Sequence, residues 1–369
     1  MMGLFSRGSS ARVTEELVLR ALSTVEEPEL GGDLVSRKMI KNLKIEGDRV
    51  AFTVELTTPA CPLKDQIQAE CEAALERVAG VPKADVAIEF SATVRPRGGI
   101  LDKAAIPGVS HVIAVSAGKG GVGKSTVAVN LAVALAQEGA RVGLLDADIY
   151  GPSIPLMLGT KGQTPLATSG PDGQPRMQPI EAYGIKMISV GFLVDDSQPV
   201  IWRGPMVSQL LRQFLYQVEW APLDYLIIDM PPGTGDIALT LAQSLQNAGL
   251  TGAVTVTTPQ QVATLDVLKS MEMFKKVNVP LLGVIENMAY FVAPDTGTRY
   301  DIFGTGGAAR LAEQLGVPLL GQIPLGMSVR SGGDAGQPAA TSDQPDAYAA
   351  VFREIAQQLA ARVSVMEYA

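Results

Sequence analysis

The sequence predicts an α/β protein in which a mainly parallel sheet carries helices on both faces and a small α+β domain precedes it. Two observations support this prediction. From residue 109 onward, short apolar runs alternate with helical patterns, which is the order typical of parallel sheets covered on both faces. Before residue 95, two strand patterns follow each other directly and are flanked by helical patterns. The composition, 47 % hydrophobic and 18 % charged among 369 residues, is that of a globular protein.

The first predicted domain covers residues 1–94. Residues 50–56 alternate between apolar and polar side chains, as a half-buried strand does, and a helical pattern that begins near Cys61 is ended by Gly80. In chain order, the predicted elements are a helix over 13–25, strands over 39–45 and 50–56, the helix from Cys61, and a strand over 85–90.

A linker over residues 95–108 is predicted because this stretch mixes proline, glycine and charge. The second domain then covers 109–369, with further strand patterns over 224–230, 252–258, 281–288 and 318–324. The last helical pattern, over 346–363, is expected to pack on the core. A membrane-targeting helix is the less favoured alternative, because its polar face is not rich in lysine.

Charge and composition exclude several classes of function. The formal net charge is −8, which gives no overall electrostatic support for binding nucleic acid or an acidic membrane. No apolar run approaches the roughly 18 residues that a membrane span needs, and the first ten residues are too weakly apolar for a secretory signal. We therefore expect a cytoplasmic protein without nucleic-acid or membrane partners. One histidine and two cysteines exclude a single-chain metal site built from several such ligands.

The stretch "SAGKGGVGKST", residues 116–126, predicts a nucleotide-binding loop between a buried strand and a helix. Its glycines allow backbone N–H groups to surround phosphates at the helix N-terminus. Lys124 is predicted to reach the β- and γ-phosphates, and Ser125 to hold Mg²⁺. The predicted nucleotide-binding residues of the loop are Gly118, Lys119, Gly120, Gly121, Val122, Gly123, Lys124, Ser125 and Thr126.

Acidic residues at the ends of two later strands complete the predicted site. Asp229 in "LIIDMPPGTGD" is expected near the metal, followed by Gly233 as an N–H donor to the γ-phosphate. Asp146 and Asp148 in "LLDADIYGPS" are expected at the carboxyl end of a neighbouring strand, where ligands bind in such sheets. One of these carboxylates would orient the attacking water, and Asp146 is a further candidate for the magnesium site. Helix N-capping is the alternative role for Asp148.

Together these motifs resemble those of the deviant Walker A ATPases, the group that includes MinD, ParA, nitrogenase iron protein and the Mrp/ApbC proteins. The resemblance implies a homodimer in which the additional lysine, Lys119, contacts the partner's nucleotide and stabilises charge on the transferring phosphoryl group. It also implies that Asp148 is the switch I carboxylate and that Asn287, in "GVIENM", binds the adenine. Lys119, Lys124 and Asp148 are therefore the predicted catalytic residues.

Within that group, the sequence resembles the Mrp/ApbC proteins over nearly its whole length. The shared motifs, in order, are "TTPACPL", "AGKGGVGKSTVAVNLA", "DADIYGPSIP", "WRGPM", "DMPPGTGD", "TTPQQVAT", "ENMAYF", "YDIFG" and "SGGDAGQPA". This resemblance implies an ATP-hydrolysing, cytosolic, dimeric carrier that binds an iron–sulfur cluster and passes it to apoproteins.

The resemblance fails at the cluster ligands. The family's usual C-x-x-C pair follows the "ENM-x-YF" motif, but here Ala293 and Thr296 stand at those positions and neither provides a thiolate. Cys61 is the remaining candidate cluster ligand, because a helix N-terminus lowers the pKa of a thiol. Cys71 lies on the apolar face of the same predicted helix and is interpreted as a buried structural thiol.

The leading hypothesis is a homodimeric ATPase that binds or transfers iron–sulfur clusters, with ATP, Mg²⁺ and a cluster as its ligands and apoproteins or other assembly factors as its partners. Its reaction would be ATP + H₂O → ADP + phosphate. A nucleotide-switched scaffold that carries no cluster is the main alternative, which the missing C-x-x-C pair favours. A positioning ATPase similar to MinD or ParA is the third, and the acidic balance weighs against it.

Overall fold

The computed structural model describes residues 13–95, 105–170, 173–193, 204–341 and 347–368. They form two compact units. The first comprises the described residues up to Thr93 together with Ser364–Tyr368, and the second those from Val94 to Val363. The sequence assigned the whole C-terminal segment to the second domain, whereas its last residues group with the first unit. Helical periodicity could not show this, because it marks an apolar face but not what that face packs against.

The first unit is the α+β fold that the sequence predicts. Its elements are α1 (Glu15–Leu22), β1 (Ile40–Glu46), β2 (Arg49–Leu56), α2 (Lys64–Ala74), which continues as a π turn over Leu75–Ala79, and β3 (Val86–Ala92). The three strands lie in the order β1-β2-β3, with β1 antiparallel and β3 parallel to β2. The core includes Val18, Leu22 and Phe52, all at most 2 % exposed.

The second unit contains a mixed, mostly parallel sheet, a separate two-stranded antiparallel sheet and helices. Its strands are β4 (Val109–Ala117), β5 (Val142–Asp146), β6 (Ala167–Ser169), β7 (Pro175–Met177), β8 (Ile180–Ala182), β9 (Ile185–Ser189), β10 (Leu223–Asp229), β11 (Leu250–Thr257), β12 (Leu281–Val292), β13 (Arg299–Tyr300) and β14 (Leu319–Leu325). Its helices are α3 (Lys124–Gln137), α4 (Ile154–Met157), α5 (Gly204–Tyr216), α6 (Asp236–Asn247), α7 (Gln261–Lys276), α8 (Gly307–Leu315), α9 (Met327–Asp334) and α10 (Ala347–Tyr368).

The main sheet has the order β13-β12-β11-β4-β10-β5-β9-β8, and β14 also pairs with β12. Only β8 and β13 run antiparallel to their neighbours in this sheet. The sequence did not predict β6 to β9 or β13, because these strands are two to five residues long and too short to establish a period. The other parallel strands were predicted because they read as largely continuous apolar runs, whereas β9, which is parallel to β5, is interrupted by Lys186.

The parallel register brings the carboxyl ends of β4, β5 and β10 to one edge of the sheet. Asp229 at the end of β10 lies beside Val115 of β4 on one side and Asp146 of β5 on the other. The loop after β4 leads directly into α3, whose residues from Val127 to Leu135 are all buried. This edge is therefore where the glycine loop meets the acidic strand ends.

Helix α10 packs on a core, and helix α7 packs against the glycine loop. In α10, Phe352, Ile355 and Leu359 are at most 1 % exposed, which confirms the predicted packing on a core. In α7, the backbone approaches the glycine loop so closely that a Cβ on Gly118 would lie 2.4 Å from the carbonyl carbon of Asp266. Only glycine fits there. Within the described part of the chain, no helix has the length and apolarity needed to cross a bilayer.

Candidate functional site

The site is centred on Lys124, the first residue of α3, whose side chain is 6 % exposed. Its ammonium donates a hydrogen bond to Asp229 Oδ1 at 2.6 Å and lies 3.4 Å from Asp148 Oδ2. A buried ammonium is stable only when it is paired, and two carboxylates from different strand ends provide that pairing. The structure therefore brings together three residues that the sequence predicted separately.

Ser125 and Asp229 form a pair of oxygen donors beside this ammonium. The Ser125 hydroxyl donates to Asp229 Oδ2 at 2.6 Å, and the Asp229 carboxyl is fully buried. Hydroxyl and carboxylate oxygens are ligands that Mg²⁺ accepts, and in nucleotide sites this ion completes its shell with phosphate and water. Among the described residues, no group of three or more His, Cys, Asp or Glu side chains is arranged to hold a metal. The Ser125 hydroxyl and the Asp229 carboxylate are oxygen donors of the kind that fits a magnesium ion.

Asp148 lies in the loop between β5 and α4. Its Oδ1 accepts a hydrogen bond from the N–H of Tyr150 at 3.3 Å, while Oδ2 faces Lys124. Ser153, not Asp148, occupies the N-cap position of α4, so the alternative of helix capping is not what the structure shows. Asp148 is 8 % exposed and sits beside Lys124, the predicted phosphate-binding lysine, which is the position that a carboxylate orienting water at a phosphoryl group requires.

Asp146 is fully buried at the end of β5, beside Asp229. Burial, together with the neighbouring charge of Asp229, raises the pKa of Asp146 to about 8. Burial also raises the pKa of Asp229, and the Lys124 ammonium acts in the opposite direction. The Asp146 oxygens accept hydrogen bonds from Ser189 and from two backbone N–H groups, whereas the Ser125 hydroxyl contacts Asp229.

The glycine loop itself adopts the backbone shape that its glycines permit. Gly121 and Gly123 have φ values of +80° and +81°, in the left-handed region that favours glycine. Gly120 and Gly121 have no atoms near the position of a Cβ, so this side of the loop is open. Lys119 is half-buried, and no hydrogen bond or ion pair joins its ammonium to another described residue. Lys119 is thus separate from the charge cluster around Lys124.

Gly233, which the sequence predicts as an N–H donor to the γ-phosphate, forms a backbone hydrogen bond in the structure. The N–H of Gly233 donates to the carbonyl oxygen of Ala117 at 2.9 Å, with φ of +87° at the glycine. This bond joins the loop after β10 to the end of β4. The sequence predicts Gly233 as a phosphate donor, but it could not show that its N–H completes a backbone hydrogen bond.

A cleft of about 230 Å³ opens beside the glycine loop. Asn287 lies in its wall, and its amide Nδ2 donates to the carbonyl oxygen of Val122 at 2.9 Å. Its Oδ1 accepts no hydrogen bond from a described residue. Other lining residues come from α3, α4, the end of β14 and α9, and include Thr126, Met157, Pro324 and Arg330. The predicted adenine-binding residue therefore adjoins both the loop and a cavity.

Most of that cleft was missed by the sequence. Pro324, Arg330 and Asp334 come from the segment that contains "SGGDAGQPA", which carried a resemblance but no assigned role. Arg330 pairs with Asp334 at 2.8 Å across one turn of α9. Asn130 of α3 holds this segment in place, because its Oδ1 accepts from the N–H of Ala340 at 2.8 Å. No local pattern signals such contacts, since the partners are some 200 residues apart in sequence.

The positions of the missing cysteine pair lie in a hairpin turn between β12 and β13. The N–H of Ala293 donates to Thr298 at 2.9 Å, and the N–H of Gly297 donates back to Ala293 at 2.8 Å. Thr296 is exposed within this turn. The hairpin continues the strand that carries Asn287, so it is connected to the cleft beside the glycine loop by a single strand.

The prediction that the Cys61 thiol has a lowered pKa is wrong. The helix begins at Lys64 rather than at Cys61, and Cys61 is only 7 % exposed. Burial raises the pKa of the Cys61 thiol to about 11, which outweighs the effect of a hydrogen bond from the backbone of Leu63. Cys71 is fully buried in the core of the first unit, as predicted, and burial raises its pKa to about 12.

Comparison with known proteins gives matches over both units. Residues 108–360 match the family model of the NUBPL iron-transfer P-loop NTPases, and residues 15–87 match that of the iron–sulfur cluster assembly proteins. The chain is 50 % identical over 354 residues, 96 % of its length and 99 % of the relative's, to a protein of Synechocystis sp. named iron–sulfur cluster carrier protein. A Deinococcus radiodurans protein of the same name is 53 % identical, over 95 % of this chain and 96 % of that one.

A solved structure supports the fold of the second unit. The nucleotide-binding protein of Archaeoglobus fulgidus in complex with ADP matches with a TM-score of 0.56 and 36 % identity. The match covers 68 % of this chain and 98 % of that protein.

Proposed function

The chain belongs to the NUBPL iron-transfer P-loop NTPase family, and from this premise we propose that it is an ATP-hydrolysing iron–sulfur cluster carrier that acts as a homodimer. The observation that carries the ATPase proposal is the buried Lys124 ammonium, which is paired with Asp229 and Asp148 at the start of α3. Its relatives named iron–sulfur cluster carrier protein, and the family match of the first unit, support the carrier role.

The charge cluster around Lys124 explains how its ammonium changes from a carboxylate partner to a phosphate partner when nucleotide binds. Without ATP, the Lys124 ammonium is neutralised by Asp229 at 2.6 Å. The phosphates of ATP offer a competing negative charge at the N-terminus of α3, where backbone N–H groups also point. Ser125 and Asp229 would hold Mg²⁺, which neutralises charge on the β- and γ-phosphates. The pairs of Lys124 with Asp229 and Asp148 therefore keep these side chains in position until the ligand replaces them.

Hydrolysis is assigned to Asp148. Water attacks the γ-phosphorus in line, the bond to the bridging oxygen breaks and leaves its electron pair on ADP, and both protons of the water end on the released phosphate as H₂PO₄⁻. Asp148 orients that water because its carboxylate faces the ammonium that holds the γ-phosphate. Lys119, which has no ion pair with a described residue of its own chain, supplies positive charge to the nucleotide of a second copy.

The orientation of Asn287 favours ATP over GTP. Its Nδ2 is committed to the carbonyl oxygen of Val122, so the oxygen of the amide is left as the acceptor for a base in the cleft. Adenine presents an amino group at position 6 of the purine and guanine presents an oxygen there. An acceptor that faces position 6 therefore bonds adenine and repels guanine.

The test of this function is phosphate release from ATP by the full chain, with Lys124→Ala beside the control Lys275→Ala. Lys275 is an exposed residue of α7 whose ammonium pairs with Glu272 at 3.2 Å. We expect Lys124→Ala to abolish turnover and the control to retain it. Turnover in Lys124→Ala equal to the control would contradict the assigned site.

A nucleotide-switched scaffold that carries no cluster is a second candidate, and the thiols favour it. The sequence has two cysteines, both are buried, and the C-x-x-C positions hold Ala293 and Thr296. Anaerobic reconstitution with iron and sulfide, followed by metal analysis and visible absorption, separates the two functions. A cluster that is present in the wild type and lost in Cys61→Ala supports the carrier. A colourless wild type that still hydrolyses ATP supports the scaffold.

A further inference from the structure

The side chain of Asp146 holds two segments together without contacting the phosphate-binding lysine. Its Oδ2 accepts a hydrogen bond from the Ser189 hydroxyl at 2.8 Å, across the parallel pair β5 and β9. Its Oδ1 accepts from the N–H of Asp148 at 3.2 Å, and Oδ2 also faces the N–H of Ile154 at 3.4 Å. One buried carboxyl group thus binds both ends of the loop over residues 147–153.

Ser189 extends this arrangement to a second segment. While its hydroxyl donates to Asp146, its oxygen accepts from the N–H of Gly191 at 2.9 Å, which starts a short 3₁₀ turn over Val190–Phe192. A Cβ on Gly191 would lie 3.2 Å from the Cβ of Pro152, so this turn packs closely against the 147–153 loop. Ser189 itself is fully buried. The Ser189 hydroxyl therefore links the loop over residues 147–153 to the turn over residues 190–192.

The loop held in this way carries Asp148. Its backbone N–H is bound by Asp146, its Oδ1 accepts from Tyr150, and its Oδ2 lies 3.4 Å from Lys124 Nζ. A displacement of about 1 Å in a reacting group costs on the order of 100-fold in rate. The position of the Asp148 backbone therefore bears directly on how water is oriented.

We propose that Asp146 and Ser189 are positioning residues, which hold the 147–153 loop so that the Asp148 carboxylate faces Lys124. This proposal rests on the ATPase function proposed above and replaces the expectation that Asp146 is a magnesium ligand. Both Asp146 oxygens already accept hydrogen bonds from the loop and from Ser189, and the Ser125 hydroxyl contacts Asp229 instead.

The main experiment compares Ser189→Ala with Ser270→Ala in the full chain. Both serines are fully buried, but the Ser270 hydroxyl has no hydrogen-bond partner among the described residues, so its removal breaks no bond seen there. We expect Ser189→Ala to lower kcat about 10-fold while KM for ATP changes less than about 2-fold, because the loss is of orientation and not of nucleotide binding. The control should retain wild-type kcat. Equal kcat in both variants would overturn the proposal.

A double-mutant cycle tests whether Ser189 acts through Asp148. In an Asp148→Asn background, Ser189→Ala should lower the residual kcat less than about 2-fold, because the group it positions is already absent. A full 10-fold loss in that background would show that Ser189 acts elsewhere. Asp146→Asn is then titrated with Mg²⁺. An unchanged half-saturating concentration supports positioning, and an increase of about 10-fold or more would identify Asp146 as a ligand.

Hydrogen exchange provides a readout that does not need turnover. Peptides that cover residues 147–158 should exchange faster in Ser189→Ala than in Ser270→Ala, while peptides from α3 stay unchanged. Unchanged exchange in 147–158 would overturn the positioning role even if the wild type hydrolyses ATP. A wild type without turnover would instead contradict the proposed ATPase function, and the exchange result would still decide whether Ser189 holds the loop.

Discussion

The nucleotide site and the two thiols of the first unit both bury ionisable groups, but the groups have different neighbours. Lys124 is 6 % exposed and lies within 3.4 Å of two carboxylates. Cys61 and Cys71 are 7 % and 0 % exposed, and burial raises their pKa values to about 11 and 12. Burial beside opposite charge gives a prearranged site for a charged ligand. Burial among apolar groups keeps the thiols protonated and inert.

This difference teaches that the type of residue does not by itself decide its chemistry. A lysine in a core is costly unless it is paired, so its presence in the nucleotide site signals a ligand that can replace the pairs. A cysteine is among the residues most often buried for packing alone. Substitutions around Lys124 are therefore expected to change the rate of hydrolysis. In the first unit, burial is expected to set the reactivity of the thiols.

Asp148→Asn is expected to give the largest effect, because it removes the negative charge that orients water beside Lys124. We expect kcat to fall about 1,000-fold, within the range found for general acid–base groups, while ATP still binds. Phosphate release at saturating ATP measures kcat, and binding of a fluorescent nucleotide measures affinity. If kcat falls less than 3-fold, Asp148 is only a partner of Lys124 and the contrast with the thiols weakens.

The Cys61 thiol should be alkylated about 200-fold more slowly at pH 8 than an unburied thiol, because its pKa of about 11 leaves far less thiolate than the usual value of about 8.5. Below the pKa the thiolate fraction rises with pH, so the rate should increase about tenfold per pH unit up to about pH 10. The measurement uses Cys71→Ala, in which Cys61 is the one remaining thiol, with iodoacetamide.

The same variant unfolded in urea is the control for that measurement, and its rate should level off above pH 9. A folded protein whose alkylation also levels off near pH 9 would show that burial does not dominate. Levelling off below about pH 8 would show the lowered pKa that was originally expected of a helix N-terminus, and Cys61 would then again be a candidate cluster ligand.

Lys119→Ala should lower kcat about 100-fold in the proposed dimer, because a cation that reaches the partner's transferring phosphoryl group is lost. Nucleotide affinity should change little, since Lys119 is not part of the charge cluster of its own chain. Turnover measured against protein concentration checks the trans role, together with sedimentation in ATP. Unchanged turnover together with unchanged ATP-dependent dimerisation would remove it.

How much of the site the sequence could predict depends on distance along the chain. The glycine loop was predictable because Gly118 to Ser125 are consecutive and their chemistry is local. Ser189 and the cleft residue Pro324 were not, because only the strand order brings them to β5 and to the glycine loop. The prediction of the Cys61 pKa was wrong for a related reason, since burial depends on how the whole unit folds.

The same distinction applies to the fold. The predicted parallel strands carry continuous apolar runs and their type could be assigned from the sequence. The edge of the sheet could not, because β8 and β13 are three and two residues long and owe their conformation to a neighbour. Likewise, helical periodicity predicted α10 correctly but could not show that Ser364–Tyr368 group with the first unit.

Asn287→Ala should give the smallest effect, about a 10-fold loss of ATP affinity, which is typical of one hydrogen bond to a base. GTP affinity should not fall, because the amide oxygen repels guanine instead of bonding to it. The ratio of the two affinities, from competition against a fluorescent nucleotide, is therefore the decisive measurement. A parallel loss for both nucleotides would mean that Asn287 only supports the loop through its bond to Val122. In that case other residues of the cleft would determine the preference for ATP over GTP. Asn287 would then resemble Lys124 only in being a buried polar group held by a partner within the chain.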